Sequence, residues 1–138
     1  MKTLYMAYGS NLNLQQMAKR CPTAKVFGTA MLEDYQLVFQ GVATIKPQKG
    51  SVVPVAIWEI DSDCEKALDR YEGFPHLYRK EYMIIPVNGI EQNVMVYIMN
   101  NGTAALPSER YYRTIEQGYY DVGFDIIHLR NALRATMK

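Results

Sequence analysis

The chain has 138 residues, 49% of them hydrophobic and 21% charged, enough for a sizeable core and too apolar for a disordered segment. Lys plus Arg number 15 against 14 for Asp plus Glu, and the basic residues are scattered, which argues against nucleic acid or an anionic membrane and for a small substrate or a protein partner. No apolar run is long enough to span a bilayer, and the first residues read as a strand rather than a leader, so a soluble, cytoplasmic protein of one domain, residues 1–138, is expected.

The first apolar run, Leu4-Tyr5-Met6-Ala7, predicts a strand. Tyr8-Gly9-Ser10-Asn11-Leu12 follows, and then Leu14, Met17, Ala18 and Cys21 at the spacing of one apolar helix face. Gly-Ser-Asn therefore sits where a strand hands over to a helix. Gly tolerates positive φ, Ser and Asn are good N-caps, and unpaired backbone N–H groups at such a junction suit a carboxylate, phosphate or oxyanion. Pro22 stops the helix. Strands are expected at Val26 to Ala30, where Gly28 marks a bulge or close backbone approach, and at Tyr35 to Phe39, extending past Gly41 through Val42 to Ile45. Lys46 to Gly50 reads as a polar turn, and Val52 to Ile60 as a central strand covered on both faces, with an edge or bulge at Pro54.

Ser62 and Glu65 fit a capping box for a helix with Cys64, Ala67, Leu68 and Tyr71 inward, ending at Glu72 before Gly73. Asn88-Gly89 marks a hairpin between Tyr78 to Val87 and Gln92 to Met99. Pro107-Ser108 opens a third helix weakened near Gly118, and Asp125 caps a last one with Ile126, Leu129 and Leu133 inward. Strands in the middle and helices at the edges give α+β, with a curled or closed sheet. The two cysteines read as buried, free thiols of a reducing compartment, and with only two histidines besides there is no zinc-ligand spacing.

Among the acidic residues Glu72 stands out. A carboxylate in the last turn of a helix opposes the helix dipole, and Tyr71 and Phe74 can desolvate it, so its pKa is expected to rise toward that of a general base. Asp69, one turn earlier, makes a paired-carboxylate hydrolase conceivable, although a solvated or loop-capping Asp69 is the plainer reading. Nothing distinguishes Glu33, Asp34 or Glu59. Ser10 lacks a G-x-S-x-G elbow, and its turn lacks the Lys of a P-loop. His76 reads as a surface loop residue and Arg79 as a strand-edge ion pair.

Tyr8-Gly9-Ser10-Asn11-Leu12 after a first strand, Leu68-Asp69-Arg70-Tyr71-Glu72-Gly73 with Tyr78 soon after, and Pro107-Ser108 followed by Tyr111 occur in this order. Together they resemble the γ-glutamylcyclotransferase-like family over nearly the whole chain. The resemblance implies a small mixed β-barrel with peripheral helices. It also implies a catalytic Glu at Glu72 and a substrate-binding segment of Tyr5, Met6, Ala7, Tyr8, Gly9, Ser10 and Asn11, with binding tyrosines at Tyr78, Tyr97 and Tyr111. Gln117-Gly118-Tyr119 departs from many relatives, which have a small residue after the Gly, so the far wall of the pocket is expected to differ.

The chemistry so implied turns a γ-glutamyl amide into 5-oxoproline and a free amine, by attack of the substrate's own α-amine and without metal or cofactor. The expected partner is a small γ-glutamyl substrate, not nucleic acid or membrane. The competing possibility of another class is a catalytically silent module that binds a γ-glutamyl or amino-acid ligand on the same fold.

Overall fold

In the computed structural model, which describes residues 2–137, the elements run β1 (Thr3–Ala7), a 3-10 turn (Ser10–Leu12), α1 (Leu14–Arg20), β2 (Lys25–Gln40), β3 (Val42–Ile60), α2 (Ser62–Glu72), β4 (Tyr78–Val87), β5 (Ile90–Met99), α3 (Glu109–Val122) and α4 (Ile127–Met137). The five strands form one mixed sheet in the order β2-β3-β1-β5-β4, so the first strand of the chain is the middle strand of the sheet. It pairs antiparallel with the end of β3, Thr3 opposite Ile60 through Ala7 opposite Ala56, and parallel with β5 at Tyr5 and Met95. Both β2–β3 and β4–β5 are antiparallel hairpins.

The expected barrel is not closed. The sheet curls until Gly28 in β2 meets β4, where an added Cβ would lie 3.0 Å from Val87 Cγ1, yet among the described residues no strand pairing bridges that seam. Gly28 is thus a close approach, and the register slips beside it, between Val26 and Gly28. The β4–β5 hairpin turns at Asn88-Gly89 with both residues at positive φ, as that dipeptide predicts.

The expected turn at Lys46 to Gly50 lies within β3: Lys46 and Pro47 pair with Gln36 and Tyr35 of β2, and the register then shifts, so that the next pair is Val52 with Glu33. The reversal falls at Gly41 (φ 82°), held by two backbone bonds to the distant Ala105: Gly41 N–H donates to Ala105 O, and Ala105 N–H to Phe39 O. Pro54 lies two residues beyond Ala56, where β1 has ended, so one side of β3 is an edge there.

The helix caps also differ in detail from their signals. Asp61, not Ser62, caps α2, accepting the Cys64 N–H at 2.8 Å. Asn13 caps α1, accepting from Gln16 N–H, because the 3-10 turn intervenes between strand and helix. On α1 only Met17 is buried, with Cys21 just past its end, while Leu14 is 41% exposed. Gly73, at φ 63°, ends α2 as expected, its N–H bonded to Arg70 O and the next N–H to Asp69 O.

The cysteines are buried but not free. Cys21, after α1, and Cys64, in the first turn of α2, stand with Cα atoms 5.0 Å apart and form a disulfide. Their apolar surroundings were legible in sequence, but their proximity was not.

Gly118 does not end α3, which runs on to Val122. Its missing side chain lets α3 lie against the turn after β1: a Cβ there would come within 2.7 Å of Asn13 N and Leu12 C. Met6, Phe39, Leu68, Met95, Ile115 and Leu129 are all fully buried, so β1, β2, β5 and three helices share one core. No helix among the described residues is long and apolar enough to cross a membrane.

Candidate active site

β1 ends at Ala7, and Tyr8 and Gly9 carry the chain into the 3-10 turn. Within that turn Leu12 N–H donates to Gly9 O and Asn13 N–H to Ser10 O, so the N–H groups of Gly9, Ser10 and Asn11 precede its bonds. Gly9 has φ −129° and so does not use the positive φ that glycine tolerates. Its role is space: a Cβ would point at Tyr111 Oη, 3.7 Å away, and Ala43 Cβ, 3.4 Å away.

A cavity of about 200 Å³ opens here. Tyr5, Met6, Tyr8, Gly9, Ser10 and Asn11 form one wall, and Glu72, Tyr78, Tyr97 and Tyr111 come to it from α2, β4, β5 and α3. Ala7 alone of the expected residues is absent from the wall: it pairs with Ala56 and lies in the core. Val42, Ala43, Tyr71 and Leu77 complete the lining. Tyr71 and Leu77 flank Glu72 closely in sequence, but Val42 and Ala43 reach the cavity only through the reversal at Gly41, for which no local signal exists. Tyr119 is not in the lining; it is fully buried and packs edge-on against Phe124.

Glu72 ends α2 facing this cavity, and burial pushes its carboxyl up to about 7, against the downward pull of the Arg20 guanidinium. Desolvation is therefore the main cause, as the flanking aromatics suggested, although Phe74 is not one of the lining residues. Asp69, the partner a hydrolase would need, is outside the cavity wall. It accepts from Tyr97 Oη at 2.6 Å and is ion-paired with Lys80 at 2.9 Å. Glu33, Asp34, Glu59 and His76 are also outside the lining, and Arg79 donates to Glu81 and to Met99 O in the β4–β5 hairpin.

The tyrosine hydroxyls divide into two groups. Burial is the main cause raising the pKa of Tyr5, Tyr8, Tyr78, Tyr97 and Tyr111, so each is a neutral O–H at working pH. Tyr8 donates to Tyr97 O, Tyr78 to Ala43 O and Tyr97 to Asp69, which commits their protons to the protein. Tyr111 Oη instead accepts the Ala43 N–H at 3.1 Å, and Tyr5 Oη accepts from Asn11 Nδ2 at 2.9 Å. The Asn11 amide has no freedom to flip, because Arg20 must donate to its Oδ1 at 2.7 Å. Tyr5 and Tyr111 thus hold their oxygens fixed and keep a proton for a ligand.

A desolvated carboxylate, two pinned O–H donors and a turn with leading N–H groups can take a proton from a substrate, return it, and stabilise a developing oxyanion. Comparison with known proteins points to the same class of chemistry. Residues 5–122 match the family described as Gamma-glutamyl cyclotransferase, AIG2-like. The chain is similar to the Gamma-glutamylcyclotransferase of Homo sapiens, 31% identical over 140 positions covering 89% of this chain and 73% of that protein. It is similar also to the Gamma-glutamylcyclotransferase of Mus musculus, 30% identical over 87% of this chain and 71% of that one. A solved structure named Gamma-glutamyl cyclotransferase superposes with a TM-score of 0.86 at 27% identity, covering 96% of this chain and 86% of its own.

Proposed function

Because the chain belongs to the Gamma-glutamyl cyclotransferase, AIG2-like family and is a γ-glutamylcyclotransferase-like enzyme, we propose that it converts a γ-glutamyl amide into 5-oxoproline and a free amine, with Glu72 as the proton carrier. The observation that supports this assignment most is the desolvated Glu72 carboxyl, held near 7 in the wall of the cavity that the Gly9–Asn11 turn also lines. The whole chain acts as one domain of this family.

In this mechanism the cavity folds the substrate so that its α-amine meets its own γ-carbonyl, an orientation effect worth up to roughly 7–11 kcal/mol in the best intramolecular reactions. Glu72 takes a proton from the α-ammonium. The freed amine forms the ring C–N bond, and the carbonyl electrons move onto oxygen. When that oxyanion collapses, the bond to the leaving amine breaks and Glu72 returns the proton to it; the regenerated carboxylate then takes the second proton from the ring nitrogen and passes it to the amine, leaving a neutral lactam and an ammonium product. Tyr5 and Tyr111, with the N–H groups of Gly9, Ser10 and Asn11, are the donors for the oxyanion and the substrate α-carboxylate. Nucleophile and leaving group both belong to the substrate, so the reaction calls for no metal and no cofactor.

The test is incubation of the purified protein with a panel of γ-glutamyl amino acids, γ-glutamyl amines and glutathione, with and without a chelator, followed by an assay for 5-oxoproline. Equimolar 5-oxoproline and amine from at least one member, undiminished by the chelator, is the expected result. If no member yields 5-oxoproline but one raises the melting temperature, the protein is a binding module instead.

A further inference from the structure

We propose that Arg20, outside the cavity wall, is a positioning residue that fixes the distance between the Ser10–Asn11 turn and the Glu72 end of α2. Its guanidinium donates to Asn11 Oδ1 at 2.7 Å and to Gln16 Oε1 at 3.0 Å. The same group lies over Tyr71, its central carbon 3.5 Å from the ring centroid. The Tyr71 hydroxyl in turn shares a hydrogen bond with Ser10 Oγ at 2.9 Å. Asn11, Arg20, Tyr71 and Ser10 therefore close a circuit, with one arc on the turn and the other on the residue beside Glu72.

The Arg20 links together use a property that only arginine has. The planar fork bonds Asn11 and Gln16 at its edge while its face stacks on Tyr71, which a lysine ammonium cannot do at once. The bond to Asn11 also orients that amide, so that its Nδ2 serves Tyr5 Oη. Arg20 thus sets a donor on one side of the cavity and the helix end carrying the carboxylate on the other.

Among the charged groups around Glu72, Arg20 is the cation that favours its ionised form. Tyr5 and Tyr8 near β1, Tyr71 on α2, Tyr78 on β4, Tyr97 on β5 and Tyr111 on α3 line the same cavity. Asp69, Glu65 and Lys80 form their own ion cluster beside Tyr97. The Arg20 charge opposes the upward push of burial on Glu72.

This inference rests on the cyclotransferase mechanism above, and its test separates the two. Arg20→Lys and Arg20→Met are compared with wild type by turnover on the best panel substrate and by NMR titration of the Glu72 carboxyl, which requires no substrate. Both variants are expected to lose tenfold or more in kcat with a smaller change in KM. In Arg20→Met the Glu72 midpoint is expected to move to higher pH, while in Arg20→Lys it stays nearer to wild type. A role confined to stability would lower the melting temperature and leave the kcat of the folded fraction and the midpoint unchanged, and that result overturns the proposal. Were the wild type to make no 5-oxoproline, the mechanism would fall, and an unmoved Glu72 midpoint in Arg20→Met would then dispose of the Arg20 assignment as well.

Discussion

Glu72→Gln is expected to lose about 10²–10⁴ in turnover and yet to melt at a higher temperature than wild type in mildly alkaline buffer. The first half follows from the proposed proton transfers: Gln keeps the volume and can hydrogen-bond, but cannot accept the α-ammonium proton. The second half follows from the carboxyl itself. Its pKa rises from an ordinary 4.5 to about 7 in the folded protein, chiefly by burial. Between those values the native state binds more protons than the unfolded chain, so stability falls as pH rises through that window and the full cost is present above about 7. Gln removes the cost, a gain on the order of 1–3 kcal/mol at pH 8 that vanishes near pH 4. For the same reason wild-type kcat/KM should fall as pH drops below about 7, because the base must be ionised. Melting curves at the two pH values, together with a 5-oxoproline assay, check both halves. Wild-type turnover in the variant would remove Glu72 from the mechanism, and equal melting at pH 8 would show that its burial is not costly.

Gly118→Ala is expected to be the most damaging change of a single methyl group. The new Cβ would stand 2.7 Å from Asn13 N and Leu12 C and 2.8 Å from Leu12 Cβ, and two of these are backbone atoms that cannot rotate away. Either α3 or the turn must move. Overpacking of this kind costs about 1–3 kcal/mol, and a shift of about 1 Å in a catalytic group costs about 10²-fold in rate. The turn carries the leading N–H groups, and α3 carries Tyr111, so both sides of the contact belong to the site. A lower melting temperature and a roughly hundredfold lower kcat, with the acid limb of the pH profile unchanged, are expected. Full activity in the folded variant would mean that the turn does not need its present place.

Elements announced by short-range chemistry were readable in sequence. Gly73 ends α2 because the left-handed conformation there suits glycine, and Asn88-Gly89 turns the β4–β5 hairpin for the same reason. Glu72 was likewise marked by its own helix end. What escaped was set by distant partners. The reversal at Gly41 is held by Ala105, some sixty residues on, so the chain around it lacks the usual signature of a hairpin, and Val42 and Ala43 could not be assigned to the cavity. Lys46 to Gly50 looked like a turn because its residues are polar, but they lie exposed within β3 at the register shift between the Pro47–Tyr35 and Val52–Glu33 pairs. The sheet was expected to close, yet its seam at Gly28 is a van der Waals contact rather than a ladder. Asp69 left a paired-carboxylate site conceivable until Tyr97 and Lys80 were brought to it by the β4–β5 hairpin.

The central place of β1 has a kinetic consequence. Each hairpin can assemble from neighbouring chain, but they become one sheet only when β1 enters between β3 and β5. Its partners lie some fifty and ninety residues downstream, so β1, which precedes both in the chain, must wait for β5 before it is held on both edges. The strand that leads into the Gly9–Asn11 turn is thus the keystone of assembly. Its amides should exchange with solvent only through opening of the whole sheet, and enzymatic activity should return in the final refolding phase, not with the hairpins.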